Sequence, residues 1–298
     1  MIDYDNKNWQ KLLFSLHGSI LPIIIPRLIL LGGIASIVVL VNRFVIKIDV
    51  NSVPWTIVGF ALGLLLVFRT NTAYDRYWEG RRMWSGIANS SYSLISAVLG
   101  YVGNHDPKSR ATQQRITHLI SALPILIKQK LRNERELTEI AGFITTEDKH
   151  LLEKAKNYPI ALHGLLIKEI NEGYKTTAIT KEAGNLVNAC LNEYINCLGA
   201  CERIKNTPLP VAYVLHTKRF LYLFCATISL PLVHYFGVWS ILITMFISYA
   251  LIGIEEIGVE IEDPFGYDPN DLPIDKICQN LASNVQNIFE IHGVASDS

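Results

Sequence analysis

Three cysteines, Cys190, Cys197 and Cys201, fall at i, i+7 and i+11, a spacing that lines one stripe of a helix. A zinc site would need a fourth sulfur or imidazole nearby, in CxxC or HxxxH spacing, and the chain contains neither pattern. These thiols, with Cys225 and Cys278, read as small buried hydrophobes. The eight histidines, His17, His105, His118, His150, His163, His216, His234 and His292, stand singly. There is no GxSxG, no HExxH and no phosphate-gripping glycine loop. The expectation is a protein without catalytic residues, bound metal or cofactor.

The acids cluster once. Glu255, Glu256, Glu260, Glu262 and Asp263 follow a long apolar run, with Glu256, Glu260 and Asp263 on one helical face. Such a face could collect a cation, but like charges buried together must be neutralised. Pairing with Arg69, Arg76, Arg81 and Arg82 is therefore expected. Downstream, Asp268 and Asp271 in DPFGYDPNDLP supply oxygen donors. Calcium takes about six to eight oxygens, so two carboxylates in a Pro-rich loop read as turn formers.

A third constellation is apolar. Phe60, Leu64 and Phe68 recur at i, i+4 and i+8, one rough stripe with a rise of about 6 Å between successive members. Gly59 and Gly63 stand beside it, small enough to let helices approach. Periodicity alone assigns the stripe to lipid or to another helix. If several copies of the helix surround an axis, the same stripe builds stacked greasy rings, which block ions when dry and pass them when wetted.

The elements that carry these residues are membrane spans. Residues 220–254 contain no Asp, Glu, Lys or Arg in 35 positions, whereas a bilayer core of about 30 Å takes roughly 20 helical residues to cross. With Pro231 and Gly237 near its middle, the run predicts two short crossings joined by a turn at 234–237. Two further spans precede it: Ile20–Ile46, whose uncharged stretch is Leu28–Val41, and Val53–Phe68, ended by the charged run RTNTAYDRYWEGRR. Neither resembles a signal peptide.

Half of the residues are hydrophobic, 18% are charged, and the net charge is zero. That balance offers no basic face for nucleic acid. Lys7, Lys11 and Arg27 precede the first span and Arg69, Arg76, Arg81 and Arg82 follow the second. The loop 43–54 carries only Arg43 and Lys47, and the turn at 234–237 carries neither Lys nor Arg. The positive-inside bias places both termini and the large middle segment in the cytoplasm.

The middle reads as helices. ATQQRITHLISALPILIKQKLRN repeats apolar residues every three or four positions. Thr145–Thr146–Glu147–Asp148 has the form of a capped helix start, Asn157–Pro159 interrupts the chain, and Glu182–Lys205 and Asp275–Ile291 continue the pattern. The expectation is an all-α integral membrane protein with four transmembrane helices and a helical cytosolic domain. Its predicted parts are 1–84 (N-terminal segment and first two spans, the second carried on a helix over about 53–84), 85–210 (cytosolic helices), 211–254 (last two spans) and 255–298 (cytosolic C-terminal segment).

The segments GFALGLLLVFRTNTAYDRYWEGRRMW, CERIKNTPLPVAY and EIEDPFGYDPNDLP, in that order, resemble the prokaryotic branch of the bestrophin ion channels. The resemblance implies a homopentamer in the bacterial inner membrane, in contact with lipid, with one central pore conducting small monovalent ions. It places the three neck residues on Phe60, Leu64 and Phe68 and a cytosolic aperture on Leu209 in TPLP. Arg76 and Trp78 match the family's arginine–aromatic signature after the neck helix. Animal bestrophins bind calcium through an acidic run after PFG. Here Asp268 and Asp271 match two of its positions and the intervening acids are missing. Chloride and other anions are the permeant class of the wider family. Selectivity for monovalent cations such as sodium is the alternative, and a non-conducting, membrane-anchored helical scaffold or ligand-binding protein is the rival reading.

Overall fold

The computed structural model describes residues 15–16, 18–101, 107–174 and 181–294. Lys7, Lys11, His17 and His105 therefore lie outside the described residues, as does the His292 side chain. The fold is 84% helical, with no strand among the described residues. Two compact units divide the chain, one made of 1–77 with 207–271, the other of 78–206 with 272–298.

The first unit is apolar. Helix α1 (Leu21–Phe44) begins with proline in its first turn and ends near Arg43, a cation placed favourably against the helix dipole. Helix α2 runs unbroken from Val53 to Tyr101, 49 residues. It thus continues through the charged run that the sequence reading takes as the end of the second span. Charge ends a membrane crossing, but only proline or an unsatisfied backbone ends a helix, and no proline interrupts α2 after its first turn.

The apolar stretch Val211–Glu262 is 52 residues long and would reach about 78 Å as one helix, more than twice a bilayer core. It is instead divided into α7 (Val211–Thr227), α8 (Ser229–Phe236) and α9 (Ser240–Glu262). The reversal comes at Gly237, whose φ of +53° suits a residue without Cβ. A single 3-10 turn, Gly237–Trp239, follows. Helix α9 then returns to pack on α1, α7 and α8, so α1, α2, α7–α8 and α9 provide four crossings.

Lipid is as apolar as leucine, so close packing rather than water exclusion holds such helices together. Ile24, Leu28 and Leu31 of α1, Leu62 and Leu66 of α2, Leu221, Phe224 and Cys225 of α7, and Ile252 of α9 share one core. Gly59 permits a close approach of α7 to α2, since a Cβ there would stand 3.1 Å from Phe224 Cζ. Gly63 has no neighbour within 4 Å of such a position and serves no packing role in the single chain.

The second unit contains the remainder of α2 with α3 (Pro107–Leu131), α4 (Thr146–Lys154), α5 (Tyr158–Tyr174), α6 (Lys181–Asn206) and α10 (Ile274–Val294). Residues 121–129 of α3 are all buried, the mark of a helix enclosed on every side, and α5 and α10 pack on it. Lys128 is buried with them and is compensated by Glu139 and by Asp275 at 3.0 Å. The stripe Cys190–Cys197–Cys201 is buried on α6, and a Cβ on Gly86 would stand only 2.7 Å from Cys197 Sγ. Burial, with the Glu193 carboxylate beside it, pushes the Cys197 thiol up to about 12, which removes it from thiolate chemistry.

Helix α4 starts as its sequence predicts. Thr145 and Asp148 form a reciprocal capping box, and Arg115 reaches Asp148 at 2.5 Å. Burial works to raise the Asp148 carboxyl, but the hydrogen bonds from the Thr145 amide and Arg115 outweigh it and hold the group below its usual range. A depressed carboxyl stabilises the fold above the ordinary value of about 3.9 and loses that contribution as pH falls through the folded value. Thr145→Ala is expected to cost about 1 kcal/mol in denaturant melts at neutral pH. Asp148→Asn is expected to flatten the loss of stability on the acid side of about pH 4.

Candidate functional site

Helix α2 buries one face and leaves another bare. Leu62 and Leu66 are enclosed, whereas Phe60, Leu64 and Phe68 are 70%, 45% and 62% exposed in the single chain. The three side chains follow one another down the helix, as the i, i+4, i+8 spacing requires. Beside them Gly63, Leu64 and Val67 form a shallow apolar groove with Leu251 and Ile254 of α9.

Immediately below Phe68 the chemistry changes. Arg69 is only 1% exposed and pairs with Glu255 of α9, itself 1% exposed. Lys218 of α7 reaches the same carboxylate at 3.2 Å, and Glu262 lies 4.0 Å from the Arg69 guanidinium. Arg27 of α1 pairs with Glu256. Glu255, Glu256 and Glu262 at the end of α9 thus face cations, and of the expected arginines Arg69 is one of them. Arg27 and Lys218 supply the other cations, each one of only two charged side chains in a mostly apolar helix, beside Arg43 in α1 and Arg219 in α7, a signal open to sequence reading because charges inside apolar helices need partners. Arg81 contacts Ser85 of its own helix.

Arg76 has another task. Its Nε donates to the Glu262 carbonyl at 3.1 Å and its Nη1 to the Thr207 carbonyl at 2.5 Å. The Leu209 amide in turn donates to Glu262 Oε1 at 3.1 Å. The segment Thr207–Pro210 is thereby tied by Arg76 to α2 and by Glu262 to the end of α9, with Leu209 half-buried in it. Prolines at 208 and 210 restrict the backbone on either side of Leu209. Arginine is suited to this role because its planar fork satisfies two carbonyls at once.

The loop after α9 closes on itself. Asp271 Oδ2 accepts from the Asp268 amide at 2.8 Å, and the Asp271 amide donates to the Asp268 carbonyl at 3.0 Å. Only glycine fits at 266, since a Cβ there would stand 2.7 Å from the Asp271 carboxylate. Burial pushes the Asp271 carboxyl up to about 6, and its Oδ1 has no hydrogen-bond partner among the described residues. Asn270 donates to Glu260 Oε1 at 3.0 Å and to the Gly18 carbonyl at 3.1 Å. Both aspartates act within the turn, and no group of three or more His, Cys, Asp or Glu among the described residues is placed to hold a metal.

The sequence model of the family described as Bacterial/Fungal Bestrophin protein matches residues 1–287. A voltage-dependent anion channel-forming protein of Nostoc is 35% identical over 285 residues, 96% of this chain and 93% of that one. Another protein of that description, YneE of Escherichia coli K12, is 33% identical over 94% of this chain and 91% of its own length. A crystal structure of a bacterial bestrophin homologue from Klebsiella pneumoniae superposes with a TM-score of 0.83 at 25% identity, covering 89% of this chain and 98% of that one. The Nostoc and Escherichia coli relatives are described as channel-forming proteins.

Removing one partner of an enclosed ion pair leaves the other uncompensated, at a cost of about 3–5 kcal/mol. Glu255→Gln is therefore expected to lower the melting temperature of the detergent-solubilised protein sharply. Glu256→Gln should lower it little, because Arg27 is one-third exposed and solvent screens that pair.

Proposed function

The chain belongs to the bacterial and fungal bestrophin family, and from that premise we propose that it is a passive channel for small monovalent ions, anions foremost. It assembles as a homopentamer in the bacterial inner membrane, with both termini in the cytoplasm. Phe60, Leu64 and Phe68 of each copy line a narrow neck, and Leu209 of each copy lines an aperture at the cytosolic exit. The anion assignment draws its support from relatives described as voltage-dependent anion channel-forming proteins.

The single observation that carries this reading is the bare stripe on α2. Helices α1 and α9 already present Ile29, Leu30, Ile37, Leu242 and Phe246 outward, which is surface enough for acyl chains. The α2 stripe is a further apolar face, on the helix whose next residue, Arg69, is locked into the bundle. Rings of phenylalanine and leucine exclude water while narrow, so conduction requires wetting. Anchoring α2 by a buried ion pair just beneath Phe68 keeps those rings in register while they wet and dry.

Replacing Phe60, Leu64 and Phe68 together by alanine is expected to preserve the oligomer and raise ion flux from proteoliposomes. Absence of flux from both the wild type and this variant overturns the reading. Mass measurement in detergent supplies the second test. Five copies of the 33.5 kDa chain are expected, and a monomer would favour the membrane-anchored scaffold instead.

A further inference from the structure

A neck built of greasy rings has no charge of its own, so fixed charges at its mouths bias the balance between permeant anions and cations. Between Val53 and Tyr77, α2 carries three charged side chains: Arg69, Asp75 and Arg76. Arg69 is enclosed and paired with Glu255, and Arg76 is turned to the carbonyls of Thr207 and Glu262. Asp75 is exposed, and no hydrogen bond or ion pair holds it among the described residues.

Its angular position is equally telling. At about 100° per residue, Asp75 lies seven residues from Phe68 and eleven from Leu64, within about 20° of both. It stands about 10.5 Å further down the same unbroken helix. Arg69 and Arg76 are rotated away from Phe68 by about 100° and 80°. Further along, Glu79 returns to the stripe but is paired with Arg203 at 2.8 Å. The exposed Arg82 lies about 21 Å from Phe68, well beyond a Debye length of about 8 Å. On the stripe's own face of α2, Asp75 is thus the first charged side chain below the neck, and no hydrogen bond or ion pair among the described residues holds it.

Resting on the neck assigned above, we infer that Asp75 is a selectivity-determining residue. Repeated around the axis, it forms a ring of carboxylates at the cytosolic mouth of the neck that concentrates small cations and restrains anion permeation. Rings of Asp or Glu act in this way in cation-conducting pores. Five unit charges about 10 Å from an ion, screened at physiological ionic strength, amount to roughly one kT, a factor of about three in local concentration.

Reversal potentials under a KCl gradient, measured in planar bilayers, test this. Asp75→Asn is expected to raise the chloride-to-potassium permeability ratio roughly sevenfold, since about one kT acts with opposite sign on each ion, Asp75→Lys to raise it further, and Asp75→Glu to leave it near the wild-type value. All five native cysteines are buried, so Asp75→Cys offers one accessible thiol. A sulfonate-bearing thiol reagent should restore the wild-type ratio there and a quaternary-ammonium reagent should raise it. An unchanged ratio in Asp75→Asn, with conductance intact, overturns the role of Asp75 and leaves the neck standing. A wild type that carries no current overturns the neck and this inference with it.

Discussion

Arg69 lies one residue beyond the last side chain of the bare stripe, enclosed in the membrane unit with the Glu255 carboxylate against it. A guanidinium keeps its charge under all ordinary conditions, so α9 has to deliver an acid to that point. That requirement sets the register of α9 against α2, and Lys218 and Glu262 close the cluster. Glu262 then reaches the Leu209 amide, which ties the position of the proposed aperture to the same cluster that anchors the proposed neck. A shift of α9 along its axis would strand a buried charge, and this holds α2 and α9 in one register.

The same pairing explains why clusters of charge near a pore need not select ions. In the sequence the arginines after the second span and the acids after the fourth look like rival sources of field. In the fold part of each set is cancelled: Glu255 by Arg69 and Lys218, and Glu256 by Arg27. Cancelled pairs produce short-range dipoles, whereas a lone carboxylate produces a field felt across a Debye length. The electrostatics of the proposed mouth therefore depend on which charge is left over rather than on how many there are.

Much of the fold was legible because membrane and helix physics are local. An uncharged run of 35 residues has few fates, and a proline or a positive-φ glycine marks where it turns. The capping box at Thr145 and Asp148 was readable for the same reason, since a cap depends on residues three apart. Where a helix ends is less local: the second span is expected to stop at the charged run after Phe68 and its helix near residue 84, and the structure carries α2 on to Tyr101. Hydropathy measures where lipid stops, and backbone hydrogen bonding is indifferent to that boundary.

The sequence alone determined the all-helical class, the apolar spans, the i, i+4, i+8 stripe and the absence of a reactive constellation, because each follows from composition or short spacing. Only the tertiary structure decided partners across long separations. It chose Arg27 and Lys218 over Arg81 and Arg82, set Arg76 on two carbonyls, and used Gly59 but not Gly63 for close packing. Those outcomes turn on which helix faces meet, a matter of rotation and register between segments up to 229 residues apart. Periodicity names the faces of a helix, and only packing says which of them is covered.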